Sequence, residues 1–124
     1  METLGINIGS TSVKTVMLKD GKIVSNKVIP HEGNFQNTLI NILVSENIPD
    51  GIQTIGTGTE GVKLLKTPNI IESLCIEAAL KWTGRKTDAI ISMGGEDLIV
   101  YTIDETGKII TSFSGNKCAS GTGE

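Results

Sequence analysis

The 124-residue sequence predicts an α/β fold, in which a mixed sheet opened by three antiparallel strands is followed by the first strands of a second unit. Three observations predict it. At the start, Leu4, Ile6 and Ile8 alternate with Gly5, Asn7 and Gly9, the period of a half-buried strand. The period then lengthens to that of a helix at Phe35, Leu39, Ile42 and Leu43. Beyond Thr87 the chain returns to β-branched runs punctuated by glycine.

Taken in order, Leu4–Ile8 and the apolar run Val13 to Leu18 flank the polar corner Ser10-Thr11-Ser12 and form a hairpin. Asp20-Gly21 turns the chain into a third extended run, Lys22 to Pro30. His31, which follows it, is expected to be a solvated loop histidine. A helix capped by Asn34 runs from Phe35 and ends before Pro49. Ile52 to Thr57 is a short strand that empties into Gly56-Thr57-Gly58-Thr59-Glu60-Gly61, a loop suited to close backbone approach and a second possible ligand contact. Ile71, Leu74, Cys75, Ala78 and Trp82 share one face of a second helix stopped by Gly84, which makes Cys75 a core residue. Thr87 to Met93, Leu98 to Ile103 and Ile109 to Phe113 are the strands of the second set, joined by Gly94-Gly95 and by the turn Asp104 to Gly107. The boundary is placed at Trp82 to Thr87, giving units 1–84 and 85–124. No internal sequence repeat is present, although architecture can repeat where sequence does not.

Composition narrows the function. A net charge of −3 with scattered lysines gives no basic field for nucleic acid, and three aromatic percent is too little for a base-stacking platform. Glu72 and Glu77 interrupt the richest apolar segment, so no membrane span is expected. Two cysteines make a poor disulfide framework and no leader opens the chain, which points to a reducing cytoplasm. A hydrolase triad has no support, with one histidine and no nucleophile elbow.

Three motifs carry chemistry. Gly9-Ser10-Thr11-Ser12 offers amides and hydroxyls at a strand end, with Lys14 able to add charge; it is either a phosphate cradle or an ordinary hairpin corner. Gly94-Gly95-Glu96-Asp97 repeats the arrangement, with two carboxylates able to hold Mg²⁺ or position a water. Cys118, ahead of Ala119-Ser120-Gly121-Thr122-Gly123, is either a thiolate beside glycine-rich backbone or an inert buried thiol. Clusters need about four ligands, and this chain offers two distant cysteines, so no complete metal site is encoded.

With these residues in view, the chain resembles the BadF/BadG/BcrA/BcrD ATPases, the activators of 2-hydroxyacyl-CoA dehydratases and related benzoyl-CoA reductase components. Leu4 to Lys14 resembles the family's first phosphate motif, Ile91 to Asp97 its second and Asn116 to Gly123 its cluster-cysteine motif; Ser73-Leu74-Cys75 falls where a Ser-Cys pair often occurs. The resemblance implies a ribonuclease H-like lobe of the actin, hexokinase and heat-shock chaperone superfamily, ATP between lobes, and a homodimer sharing one [4Fe-4S] cluster. ATP hydrolysis would gate electron delivery to an acyl-CoA dehydratase or reductase. On this resemblance Gly9, Ser10, Thr11, Ser12 and Lys14 hold ATP phosphates, Gly94 and Gly95 approach them, Glu96 and Asp97 lie near Mg²⁺, and Cys118 ligates the cluster.

The sequence departs from the family pattern at Asn7 and Ser92, where aspartates are common. Asparagine can orient a water as a catalytic residue would, but it carries no charge and accepts a proton poorly. The chain ends at Glu124, ahead of the family's adenosine motif and second cluster cysteine, which implies the N-terminal portion of an activase, inactive as an ATPase alone. Two other classes stay open: a non-catalytic nucleotide-binding regulatory module of the same fold, and a lobe of a small-molecule kinase in which Cys118 is incidental.

Overall fold

The computed structural model describes residues 1–116, and the Cys118 motif lies outside them. The chain forms two units, 1–71 and 72–124.

In the first unit, β1 (Glu2–Ile8), β2 (Ser12–Lys19) and β3 (Lys22–Pro30) form an antiparallel meander, and β4 (Gln53–Gly58) adds to β1 in parallel. The sheet order is β3-β2-β1-β4. A parallel neighbour requires a crossover, and α1 (Phe35–Ser45) lies within it. Asn34 starts that helix by accepting the Asn37 N–H at 3.2 Å, and the helix stops at Ser45, ahead of Pro49. Leu39 and Ile42 of α1 pack on Leu4, Ile6, Ile8 and Val13, the buried positions of the alternation in β1 and their neighbour in β2. Ile8 and Val13, partners across the hairpin, are the most deeply buried side chains, so the core is densest directly beneath the first glycine turn.

The second unit comprises α2 (Glu72–Thr83) and the antiparallel strands β5 (Ala89–Met93), β6 (Asp97–Ile103) and β7 (Ile109–Asn116), in the order β5-β6-β7. Its first turn closes with the Gly94 N–H on the Asp97 carbonyl at 2.8 Å, as the first unit's turn closes with the Gly9 N–H on the Ser12 carbonyl at 2.9 Å. The two meanders thus repeat in architecture without repeating in sequence. Gly84 ends α2 at φ 69°, its N–H bonding the Leu80 carbonyl at 2.9 Å.

Two expectations change here. The division falls at Ile71–Glu72, not at Gly84, because α2 is fastened to its own sheet: Glu72 accepts from Ser92 and Tyr101, and Glu77 accepts the Ile109 N–H at 3.0 Å. Cys75 is half-buried instead of core, and none of α2's residues is fully buried, since carboxylates rather than an apolar stripe make these contacts.

Candidate functional site

The antiparallel register sets Asn7 opposite Lys14, and the parallel register sets Asn7 beside Thr57, so the three lie in one row across three strands. This row is on the face opposite Ile6 and Ile8, because strand neighbours alternate faces. Lys14 Nζ donates to Asn7 Oδ1 at 3.5 Å. The hydroxyl oxygen of Thr57 is buried and has no hydrogen-bond partner among the described residues. A buried, unpaired hydroxyl beside an amide and an ammonium is an acceptor and donor left over by the fold itself.

Gly9 ends this row. A methyl group in place of its hydrogen would lie 3.3 Å from the Ser12 carbonyl oxygen, 3.5 Å from Lys14 Nζ and 3.6 Å from Asn7 Oδ1. The missing side chain therefore leaves a hollow directly against a lysine ammonium, bounded by the turn. Ser10 and Thr11 form the outer side of the turn and Ser12 is buried. The expected phosphate-binding residues Gly9, Ser10, Thr11, Ser12 and Lys14 are accordingly adjacent at one turn, the Ser12 side chain buried beneath it.

The parallel strand closes the other side. Gly58, at φ 126°, approaches so closely that an added Cβ would be 2.1 Å from the Ile8 carbonyl oxygen. That oxygen accepts the Thr59 N–H at 2.8 Å and its hydroxyl at 3.1 Å. Gly58 and Thr59 thus meet the end of β1 next to the Gly9 turn, and at Gly58 any side chain would obstruct the contact.

His31 corrects the sequence reading: it is buried, not solvated. Its Nδ1 accepts the Gly33 N–H at 3.0 Å, and Nε2 stands 2.9 Å from the Gly9 carbonyl oxygen. Because Nδ1 is an acceptor, the proton belongs on Nε2, which donates to Gly9. The ring packs edge-on against Phe35 at 6.2 Å. Only the three-dimensional return of β3 to β2 brings His31 to the turn; its place in a polar stretch after Pro30 gave no signal.

In the second unit, Gly94, Gly95, Glu96 and Asp97 form the exposed β5–β6 turn. Ser92, one pleat before it, donates to a Glu72 carboxylate oxygen at 2.7 Å, and the Tyr101 hydroxyl donates to the other at 2.8 Å. Glu72 thus brings a carboxylate to Ser92, the position where the resemblance implies an aspartate, a role its place as a break in an apolar run does not signal. Burial, with the Glu72 carboxylate next, pushes the Tyr101 phenol up to about 12. A concavity of about 890 Å³ lies elsewhere in this unit, between α2 and the β6–β7 turn, lined by Leu74, Glu77, Lys81 and Lys108 among others and by no residue of the glycine turn. Among the described residues no cluster of three or more His, Cys, Asp or Glu could hold a metal ion.

No family model matches the chain. The activator of lactoyl-CoA dehydratase from Anaerotignum propionicum is 32% identical over 133 residues, 99% of this chain and 50% of that protein. The solved activator of 2-hydroxyisocaproyl-CoA dehydratase from Clostridium difficile, with bound ADPNP, matches at 27% identity and TM-score 0.81, over 96% of this chain and 47% of that one. Component A of the (R)-2-hydroxyglutaryl-CoA dehydratase from Acidaminococcus fermentans matches at 26% identity and TM-score 0.79, over 99% and 50%. The α/β fold with its mixed sheet is that of these activators and of the actin- and hexokinase-like nucleotide-binding proteins. The chain spans about half the length of the curated relatives it matches. Over nearly its whole length the chain is thus similar to proteins described as activators of lactoyl-CoA, 2-hydroxyisocaproyl-CoA and (R)-2-hydroxyglutaryl-CoA dehydratases.

Proposed function

We propose that this chain is the N-terminal, nucleotide-binding part of an ATP-dependent activator that serves a 2-hydroxyacyl-CoA dehydratase or a benzoyl-CoA reductase-like enzyme. The observation that carries the proposal is the bare backbone of Gly9, where a methyl group would stand 3.5 Å from the Lys14 ammonium, beside Asn7 and Ser12. A phosphate oxygen approaching over this side-chain-free turn meets a cation and the turn's outward N–H groups at once. Gly94 and Gly95 do the same for the second turn, and Glu96 and Asp97 are the carboxylates suited to Mg²⁺, which prefers a few carboxylates together with phosphate oxygens. Bound ATP would supply the transferable phosphoryl group. The chain's own residues bind its phosphates, hold them in register and orient a water through Asn7 or its neighbours.

Cys118 is the proposed cluster ligand. The described residues do not complete a cluster site, because Cys75 stands alone on α2 and about four ligands are required. The remaining ligands would come from a second copy in a homodimer and from sequence outside this chain.

A second reading, binding without turnover, is favoured by one specific observation. Asn7 Oδ1 accepts from Lys14 and the Ser92 hydroxyl donates to Glu72, so neither side chain is free to take a proton from an attacking water. Calorimetric titration with ADPNP tests binding, and phosphate release from ATP separates the two readings. Lys14→Ala should weaken ADPNP at least tenfold if the ammonium faces the phosphates. Unchanged affinity in Lys14→Ala would sink the assignment of the turn.

A further inference from the structure

We infer that His31 is a positioning residue that sets the Gly9–Ser12 turn for an anion, an inference that rests on the nucleotide reading above. A peptide turn accepts an anion only when its N–H groups point outward and its carbonyl oxygens are held back. Three carbonyls of this turn are held back by hydrogen bonds inside the protein. Ser12 O is bonded by the Gly9 N–H at 2.9 Å, Thr11 O by the His31 N–H at 3.0 Å, and Gly9 O by His31 Nε2 at 2.9 Å. A single residue just beyond the end of β3 thus secures two of the three, one through its backbone and one through its ring.

The ring itself is locked. The Gly33 N–H on Nδ1 at 3.0 Å fixes the tautomer that leaves a proton on Nε2, and Phe35 at the start of α1 packs against the ring edge. With 9% of its surface exposed, His31 has little room to swing away or to be replaced by water. Losing the bond to Gly9 O would let that carbonyl rotate toward the hollow, where its partial negative charge opposes phosphate. His31 touches no ligand position itself, and its effect passes through the turn.

The two nitrogens can be tested separately. In His31→Gln the side-chain amide nitrogen reaches the place of Nε2 and keeps the donor to Gly9 O. In His31→Asn the amide oxygen falls near Nδ1, keeps the Gly33 bond and cannot reach Gly9. On the full, ¹⁵N-labelled chain, the imidazole nitrogen shifts should report the Nε2–H tautomer. Gly9 amide exchange and the ADPNP dissociation constant should each worsen about tenfold in His31→Asn and stay within about threefold of wild type in His31→Gln. An Nδ1–H tautomer, or equal effects in the two variants, overturns the inference. Failure of the wild type to bind ADPNP overturns the nucleotide reading alone, because the tautomer and exchange comparisons still decide whether His31 holds the turn.

Discussion

Replacing Gly58 with alanine tests the join between the parallel strand and the turn. The added Cβ would lie 2.1 Å from the Ile8 oxygen, 2.7 Å from its carbonyl carbon and 2.8 Å from its nitrogen, all backbone atoms that cannot step aside as a side-chain tip can. The φ of 126° adds roughly 1–2 kcal/mol for a residue with a Cβ. Relieving the clash separates β4 from β1 and breaks the two hydrogen bonds from Thr59 to Ile8 O, together about 1–3 kcal/mol. The sum, about 2–5 kcal/mol, is a large fraction of a small domain's stability of roughly 5–15 kcal/mol. Gly51→Ala is the control, since it also has positive φ, 75°, but meets nothing within 4 Å, and should cost only the roughly 1–2 kcal/mol of conformation. The assay is native-state hydrogen exchange of the Leu4–Ile8 amides, because the single tryptophan, Trp82, belongs to the second unit and is a poor reporter for the first. Gly58→Ala should accelerate exchange about thirtyfold beyond Gly51→Ala, corresponding to about 2 kcal/mol, the middle of the roughly 1–3 kcal/mol that separates them. Exchange rates within threefold of each other would refute the argument from close approach.

Three further outcomes are expected. Tyr101, the single tyrosine, should titrate near pH 12 by absorbance instead of the usual value near 10; the neutral phenol's contribution to stability is then fully present below pH 10 and lost as the pH rises through about 12, and a midpoint near 10 would contradict its burial. Glu77 is held below the usual glutamate value of 4.5, first by the Ile109 N–H and also by Lys108, so its contribution is present above that value and lost as the pH falls through the lower folded one. Glu77→Gln should therefore flatten the acid limb of second-unit unfolding followed by Trp82 fluorescence, and an unaltered limb would argue against the contact. Anaerobic reconstitution with iron and sulfide, carried out on a longer chain that supplies the remaining ligands, should load iron only when Cys118 is present, with iron content of Cys118→Ala near zero; equal loading would remove Cys118 from the ligand set.

The strands and helices were legible because local signals agree with the global fold. Alternation at Leu4, Ile6 and Ile8 became the buried face of β1, Asp20-Gly21 became a turn with both residues at positive φ, and Asn34 became the cap of α1. The glycine turns were legible for the same reason, since their residues adjoin in sequence. What stayed hidden depends on partners far along the chain. His31 is defined by Gly9, 22 residues away, and Glu72 by Ser92 and Tyr101, 20 and 29 residues away. Gly58 reads as an ordinary loop glycine until the parallel register sets it against Ile8. The Cys75 reading failed because helical spacing reports which residues share a face, not whether that face meets an apolar partner.

The parallel pairing of β1 with β4 also has a kinetic meaning. Hairpin β1–β2 closes over a four-residue turn, whereas β1–β4 joins Thr3 to Gln53 across two strands and a helix, and contacts of long sequence separation form late because their loop entropy must be overcome first. The nascent chain can thus fold the Gly9 turn, and seat His31 behind it once β3 has docked, before the Thr57 side of the hollow exists. Gly58→Ala should then speed unfolding much more than it slows folding, and a nucleotide that touches both sides would act chiefly by retarding the departure of β4.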